Sequence, residues 1–142
     1  MTRFVLDAST ALSWCFEDQK TDYSEDVLSA ASGGASPVAP TIWIYEVVNV
    51  LALAQRRGGL EEAAAVAFWG KLRGLVTIAE GVDNEAAGRI FSLCRRHRLT
   101  AYDAAYLELA LREGVPLATG DRSLKKAARA AGIRPFAPSP RS

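Results

Sequence analysis

Histidine and cysteine are almost missing from this chain: of its 142 residues, one is histidine and two are cysteine. Cys15 and Cys94 lie far apart and form no Cys-X-X-Cys pair. They read as reduced core thiols of a cytoplasmic protein rather than as a disulfide framework. His97, the only histidine, sits among arginines and reads as a surface side chain rather than a general base. Long apolar runs are missing too. The greasiest stretch, residues 42–54, carries Glu46 and Asn49 and is too short to span a bilayer, so no membrane segment is expected. Asp7 falls where a signal peptide needs its apolar centre, which argues against export. There is also no charge imbalance. A net charge of +1 gives no broad basic surface, so any nucleic-acid contact needs a local patch or a bound cation.

What is present is a globular composition, 49% hydrophobic and 23% charged. A chain of this length forms one domain that buries roughly 70% of its unfolded surface. Residues 1–137 are read as that domain and 138–142 as a short Pro-rich tail. Phe4-Val5-Leu6 reads as a strand buried on both faces. Residues 36–40, 75–78, 115–119 and 133–136 read as further short strands, the last at an edge where prolines are tolerated. Helices are predicted from Ser9 or Thr10 to Phe16, over 23–31, from a Thr41 cap to Arg57, over 60–73, over 84–97, from a Thr100 cap to Glu113, and over 123–131. Strands separated by helices require crossover connections. The expected fold is therefore α/β: a three-layer α/β/α domain with a central, mostly parallel sheet of about four to five short strands.

Four carboxylates stand out on that scaffold. Asp7 ends the first strand, Glu46 interrupts an apolar helix, Asp103 lies in the first turn of another, and Asp121 follows a late strand. A charge in an apolar setting is costly unless paired or bound to a metal, and few basic residues surround these four. In an open parallel sheet, ligands gather beyond the carboxyl ends of the strands, which is where Asp7 and Asp121 fall. Each also has a plainer reading. Asp7 and Asp121 both fit as helix caps, and Thr100 to Asp103 resembles a capping box. Glu46 is the least cap-like. It shares a helical stripe with Trp43, Asn49, Val50 and Leu53, and Asn49 one turn on is placed to bond it, at a metal site or in a polar pair at an interface. Crowded carboxylates repel unless a cation or proton offsets them, and oxygen donors without histidine or cysteine suit Mg²⁺ or Mn²⁺ rather than zinc.

The segments Val5-Leu6-Asp7-Ala8-Ser9, Glu46-Val47-Val48-Asn49, Thr100-Ala101-Tyr102-Asp103-Ala104-Ala105-Tyr106-Leu107 and Leu117-Ala118-Thr119-Gly120-Asp121-Arg122-Ser123-Leu124 resemble, in order, the motifs of the PIN-domain ribonucleases, most closely the VapC-type toxins. The resemblance spans essentially the whole chain. It implies a Mg²⁺- or Mn²⁺-dependent endoribonuclease for single-stranded RNA, a homodimer, and a cognate antitoxin. By position it makes Asp7, Glu46, Asp103 and Asp121 the catalytic, metal-binding set, supported by Ser9, Asn49 and Thr119.

An acidic site must still attract a polyanion. Arg95, Arg96 and Arg98, flanking His97, form the densest basic run and are candidate RNA contacts. They also fit as cations complementing a helix C-terminus, and Lys125 and Lys126 carry the same ambiguity. Trp14, Trp43 and Trp69 fit base stacking or, more commonly, packing. Two competing functions keep the acidic cluster: a phosphatase or receiver-like phosphotransfer domain, and a non-catalytic module that binds metal or a partner. Ser9, where a dehalogenase-type phosphatase places a second aspartate, and the absence of a lysine ending a late strand count against the first.

Overall fold

Consecutive side chains of a strand point to opposite faces, and Phe4, Val5 and Leu6 are all fully buried, so the first strand is covered on both sides. The computed structural model, which describes residues 2–141, builds a sheet around it. Strand β1 (Arg3–Leu6) leads into α1 (Ala8–Ser13), a 3₁₀ turn at Glu17–Gln19, and α2 (Asp22–Ser32). Strand β2 (Ser36–Ala39), α3 (Ile42–Arg56), α4 (Glu62–Leu75) and β3 (Thr77–Ile78) follow. The chain continues through α5 (Asn84–His97), α6 (Ala101–Glu113), β4 (Leu117–Ala118) and α7 (Arg122–Ala130). The four strands lie in the order β3-β2-β1-β4 and every pairing is parallel, with Val5 opposite both Val38 and Leu117. This is the expected α/β architecture, with β1 and β2 central and the helices supplying the outer layers.

Local chemistry sets the element ends. Thr21 and Ser24 form a reciprocal capping box on α2, the Asp83 carboxylate accepts the Ala86 amide at the start of α5, and Thr100 accepts the Asp103 amide at the start of α6. Gly114 closes α6 at φ 66°, a left-handed conformation glycine adopts without a Cβ clash. A buried ion triad ties α5 to α6: Glu108, 2% exposed, accepts from Arg89 at 3.2 Å and from Arg112 at 3.0 and 3.1 Å.

Several expected bounds change: α4 lies two residues later than 60–73, and the strands read over 75–78 and 115–119 shorten to Thr77–Ile78 and Leu117–Ala118. The edge strand over 133–136 reduces to a single parallel bridge, Leu117 to Pro135, with one amide bond on each side of it. Proline has no amide hydrogen with which to extend the ladder. The first helix begins at Ala8 and ends at Ser13 rather than Phe16. Thr41 is itself helical and its side chain caps nothing. The tryptophans pack: the Trp14 indole donates to the Ser24 carbonyl at 2.7 Å, and buried Trp43 lies 6.0 Å from Trp69. Cys15 and Cys94 are free thiols, half-buried against the core.

Candidate active site

Strand β1 delivers Asp7 to the carboxyl edge of the sheet, where its amide bonds the Ala118 carbonyl at 3.0 Å and fixes it beside β4. Asp7 occupies the N-cap position of α1, yet its side chain caps no amide. Its Oδ2 instead accepts the Thr119 hydroxyl at 2.6 Å and the Ser9 hydroxyl at 2.9 Å. The cap reading of Asp7 therefore gives way to a buried carboxylate, 7% exposed, held by the two hydroxyls expected to support it. Thr119 also links across the sheet edge, because its Oγ1 accepts the Asp121 amide at 3.0 Å. Asp121 does cap: its Oδ1 accepts the Leu124 amide at 2.8 Å at the start of α7.

Glu46 departs from expectation. Its partner is not Asn49, which is exposed, but Tyr106, whose phenol donates to Glu46 Oε1 at 2.6 Å. Tyr106 is fully buried on α6, so this bond pins α3 to α6 across the site. The residue went unsingled in sequence. The available signal was its position three residues after Asp103, on the same helical face. Asp103 is half-buried beside the Thr100 hydroxyl.

The electrostatics link the four acids in a chain, with Asp7 and Asp103 acting on Glu46 and with Asp7 and Asp121 acting on Asp103. Burial pushes the Glu46 carboxyl above its ordinary range and the charges of Asp7 and Asp103 push it further, against the opposing Tyr106 bond. Burial likewise raises Asp103, followed by the charges of Asp121 and Asp7, against the Thr100 hydroxyl. The Tyr106 phenol is raised far above its usual value by burial first, then by the adjacent Glu46 carboxylate. An arrangement in which carboxylates raise each other is the one that a cation relieves.

The donor chemistry fits a hard divalent ion. Among the described residues no three His, Cys, Asp or Glu side chains form a ready metal cage. Mg²⁺ does not need one. It keeps several waters and takes one or two carboxylates plus substrate oxygens. Asp7, Glu46 and Asp121 each commit one oxygen to the protein, leaving Asp7 Oδ1, Glu46 Oε2 and Asp121 Oδ2 without a protein hydrogen bond among the described residues.

The basic run splits. Arg96, His97 and Arg98 line a groove facing Ser123 and Lys126 of α7, whereas the Arg95 guanidinium lies 5.0 Å over the Phe91 ring of its own helix. Lys125 is likewise directed elsewhere, 6.0 Å from the Tyr23 ring. Trp14 and Trp43, being buried, offer no face for a base.

The sequence matches the PIN domain family over residues 4–130, and the chain belongs to that family, whose members are nucleases. No curated protein matches the chain in sequence. Solved structures share the fold. PAE2754 from Pyrobaculum aerophilum is 22% identical, with a TM-score of 0.69 over 90% of this chain and 86% of that one. VapBC2 from Rickettsia felis, bound to a DNA fragment from its promoter, is 10% identical, with a TM-score of 0.70 over 95% and 98%. VapC20 from Mycobacterium tuberculosis, a sarcin-ricin loop cleaving toxin, is 18% identical, with a TM-score of 0.65 over 95% and 99%.

Proposed function

We propose that this protein is a Mg²⁺- or Mn²⁺-dependent endoribonuclease that cuts single-stranded RNA and serves as the toxin of a toxin–antitoxin pair. The observation that carries the reading is the setting of Asp7: a buried carboxylate held through one oxygen by two hydroxyls, its charge acting on both Glu46 and Asp103. Asp7 and Asp121 are the main ligands to the cation, with Glu46 and Asp103 completing the site or orienting the attacking water. The bound ion supplies charge neutralisation at a phosphate oxygen and a more acidic water. The chain's own part is to keep the carboxylates aimed. Ser9 and Thr119 fix Asp7, Tyr106 fixes Glu46, and the Leu124 amide fixes Asp121.

Family membership and the roles named for VapBC2 and VapC20 support the toxin and RNA parts of the reading. A homodimer and a small antitoxin belong to the same proposal, and exposed Tyr45, Val48, Val66, Phe91 and Leu111 offer apolar surface for them. No helix among the described residues is long and apolar enough to cross a membrane, and we place the activity in the cytoplasm. A phosphatase or receiver reading gains nothing from the structure, since the Ser9 hydroxyl is engaged with Asp7.

The test is cleavage of a labelled single-stranded RNA by purified protein free of antitoxin. Cutting in Mg²⁺ or Mn²⁺ that stops in EDTA supports the reading. Cutting that persists undiminished in EDTA removes the metal from it.

A further inference from the structure

The groove between the end of α5 and the face of α7 gathers three unpaired cations. Arg96 and Arg98 on one wall and Lys126 on the other line a space of ≈ 390 Å³ that no carboxylate enters. None of the three has a carboxylate within ion-pair distance among the described residues. The cavity between α5 and α6 is built differently: there Arg89 and Arg112 clamp Glu108, which neutralises part of their charge.

Each wall lies a few residues along the chain from one of the acids. Arg98 stands two residues before Thr100, whose hydroxyl holds the Asp103 amide. On the other side Asp121 caps α7, Ser123 follows, and Lys126 lies five residues on, roughly 7–8 Å along the helix axis. Asp103 and Asp121 are close enough that one raises the other.

Arg98 adds a second, independent observation. It closes α5 in the left-handed conformation, φ 55°, and is the only non-glycine residue with positive φ among those described. The same role at the end of α6 falls to Gly114. A side chain in this conformation is strained, and glycine is the usual solution. Here the strained position carries a guanidinium that lines the groove.

We propose that this groove is a phosphate track for single-stranded RNA. Arg96, Arg98 and Lys126 hold the sugar–phosphate backbone so that the next phosphodiester reaches the crevice at Asp103 and Asp121. The proposal rests on the nuclease reading above and deepens it. Three cationic heads line the groove, with His97 as the one ring among its lining residues, so recognition there is chiefly by backbone charge. Arg95, directed onto Phe91, is not part of the track.

The experiment measures binding of labelled oligo-U and oligo-A RNA by full-length protein in EDTA, by fluorescence anisotropy across a salt series. Lys126→Ala and Arg98→Gly are compared with wild type and with Arg95→Ala. Each groove variant is expected to bind both RNAs several-fold more weakly and to flatten the slope of log affinity against log salt by about 0.7, the contribution of one single-strand phosphate contact. Arg98→Gly should at the same time melt at a higher temperature than wild type, because glycine relieves the left-handed strain. Weaker binding by a more stable protein cannot come from damage to the fold. Arg95→Ala should match wild type.

Unchanged slopes and affinities in both groove variants would overturn the proposal. If wild type binds RNA through the groove but cuts nothing in Mn²⁺, the nuclease reading fails and the track stands. If wild type cuts RNA while the variants bind unchanged, the track fails and the nuclease reading stands.

Discussion

Asp121 does two things that one pair of substitutions separates. Its carboxylate caps α7 through the Leu124 amide, and its charge bears on Asp103. Asparagine caps a helix about as well as aspartate, so Asp121→Asn keeps the cap and removes the charge. Two neighbouring like charges repel by about 1 kcal/mol in bulk water and about 4 kcal/mol near a protein surface. The lower part of that range, about 1.5 kcal/mol, suits an exposed carboxylate acting on a half-buried one. Against that gain stands the lost attraction of the charge for the helix N-terminus, about 0.5 kcal/mol. The net stabilisation of metal-free protein is about 1 kcal/mol, a rise in Tm of about 3 °C for a chain this size. Asp121→Ala gains the same relief but loses the cap, about 1 kcal/mol, and should melt near wild type. The assay is thermal denaturation at pH 7 in EDTA, repeated with saturating Mn²⁺. There the order should reverse, because wild type binds the ion best and gains most from it. If Asp121→Asn melts below wild type in EDTA, and as low as the alanine variant, the charge does not strain the site and Asp121 is only a cap.

Other outcomes follow from the same contacts. Glu46 and Asp103 have folded-state pKa values raised above those of the unfolded chain, so their protonated forms favour folding. The contribution is complete below the unfolded carboxylate range and is lost as pH rises through the folded values. Metal-free protein should therefore melt higher near pH 5 than at pH 7, and Glu46→Gln should flatten the difference; calorimetry in EDTA across that range decides it. Thr119→Val removes the 2.6 Å bond to Asp7 and the acceptor of the Asp121 amide. RNA cleavage should fall 10- to 100-fold, as for other residues that orient metal ligands, with Mn²⁺ affinity by calorimetry falling alongside it. Tyr106→Phe leaves the ring in the core and deletes one bond to a charged acceptor. It should cost about 2 kcal/mol, measurable by urea denaturation, and raise Glu46 further.

The sequence carried the scaffold because its signals were local. Helix α5 runs over 84–97, and α6 runs from its Thr100 cap to Glu113, both as read from the sequence. Buried strands read from three apolar residues in a row, and the alternation of strands with helices was enough to require a parallel sheet. Long-range pairing was the illegible part. Glu46 took its hydrogen bond from Tyr106, 60 residues away, rather than from Asn49 one turn on, because Tyr106 lies in the core on α6 and Asn49 faces solvent. Asp7 had the position of a cap without the function of one, since Thr119 and Ser9 both bond the same carboxylate oxygen. Asp121 caps α7, as its plainer reading had it. The basic run over 95–98 read as a unit, and only the placement of Phe91 separates Arg95 from its neighbours.

The central claim is that Asp7 and its companions form a metal-dependent RNA-cutting site. Its most direct test is cleavage of single-stranded RNA by Asp7→Ala beside wild type, in Mn²⁺ and in EDTA, with both proteins shown to be folded by circular dichroism. The account predicts cutting by wild type in Mn²⁺ alone and none by Asp7→Ala in either condition. RNA cleavage by folded Asp7→Ala that continues in EDTA would contradict it.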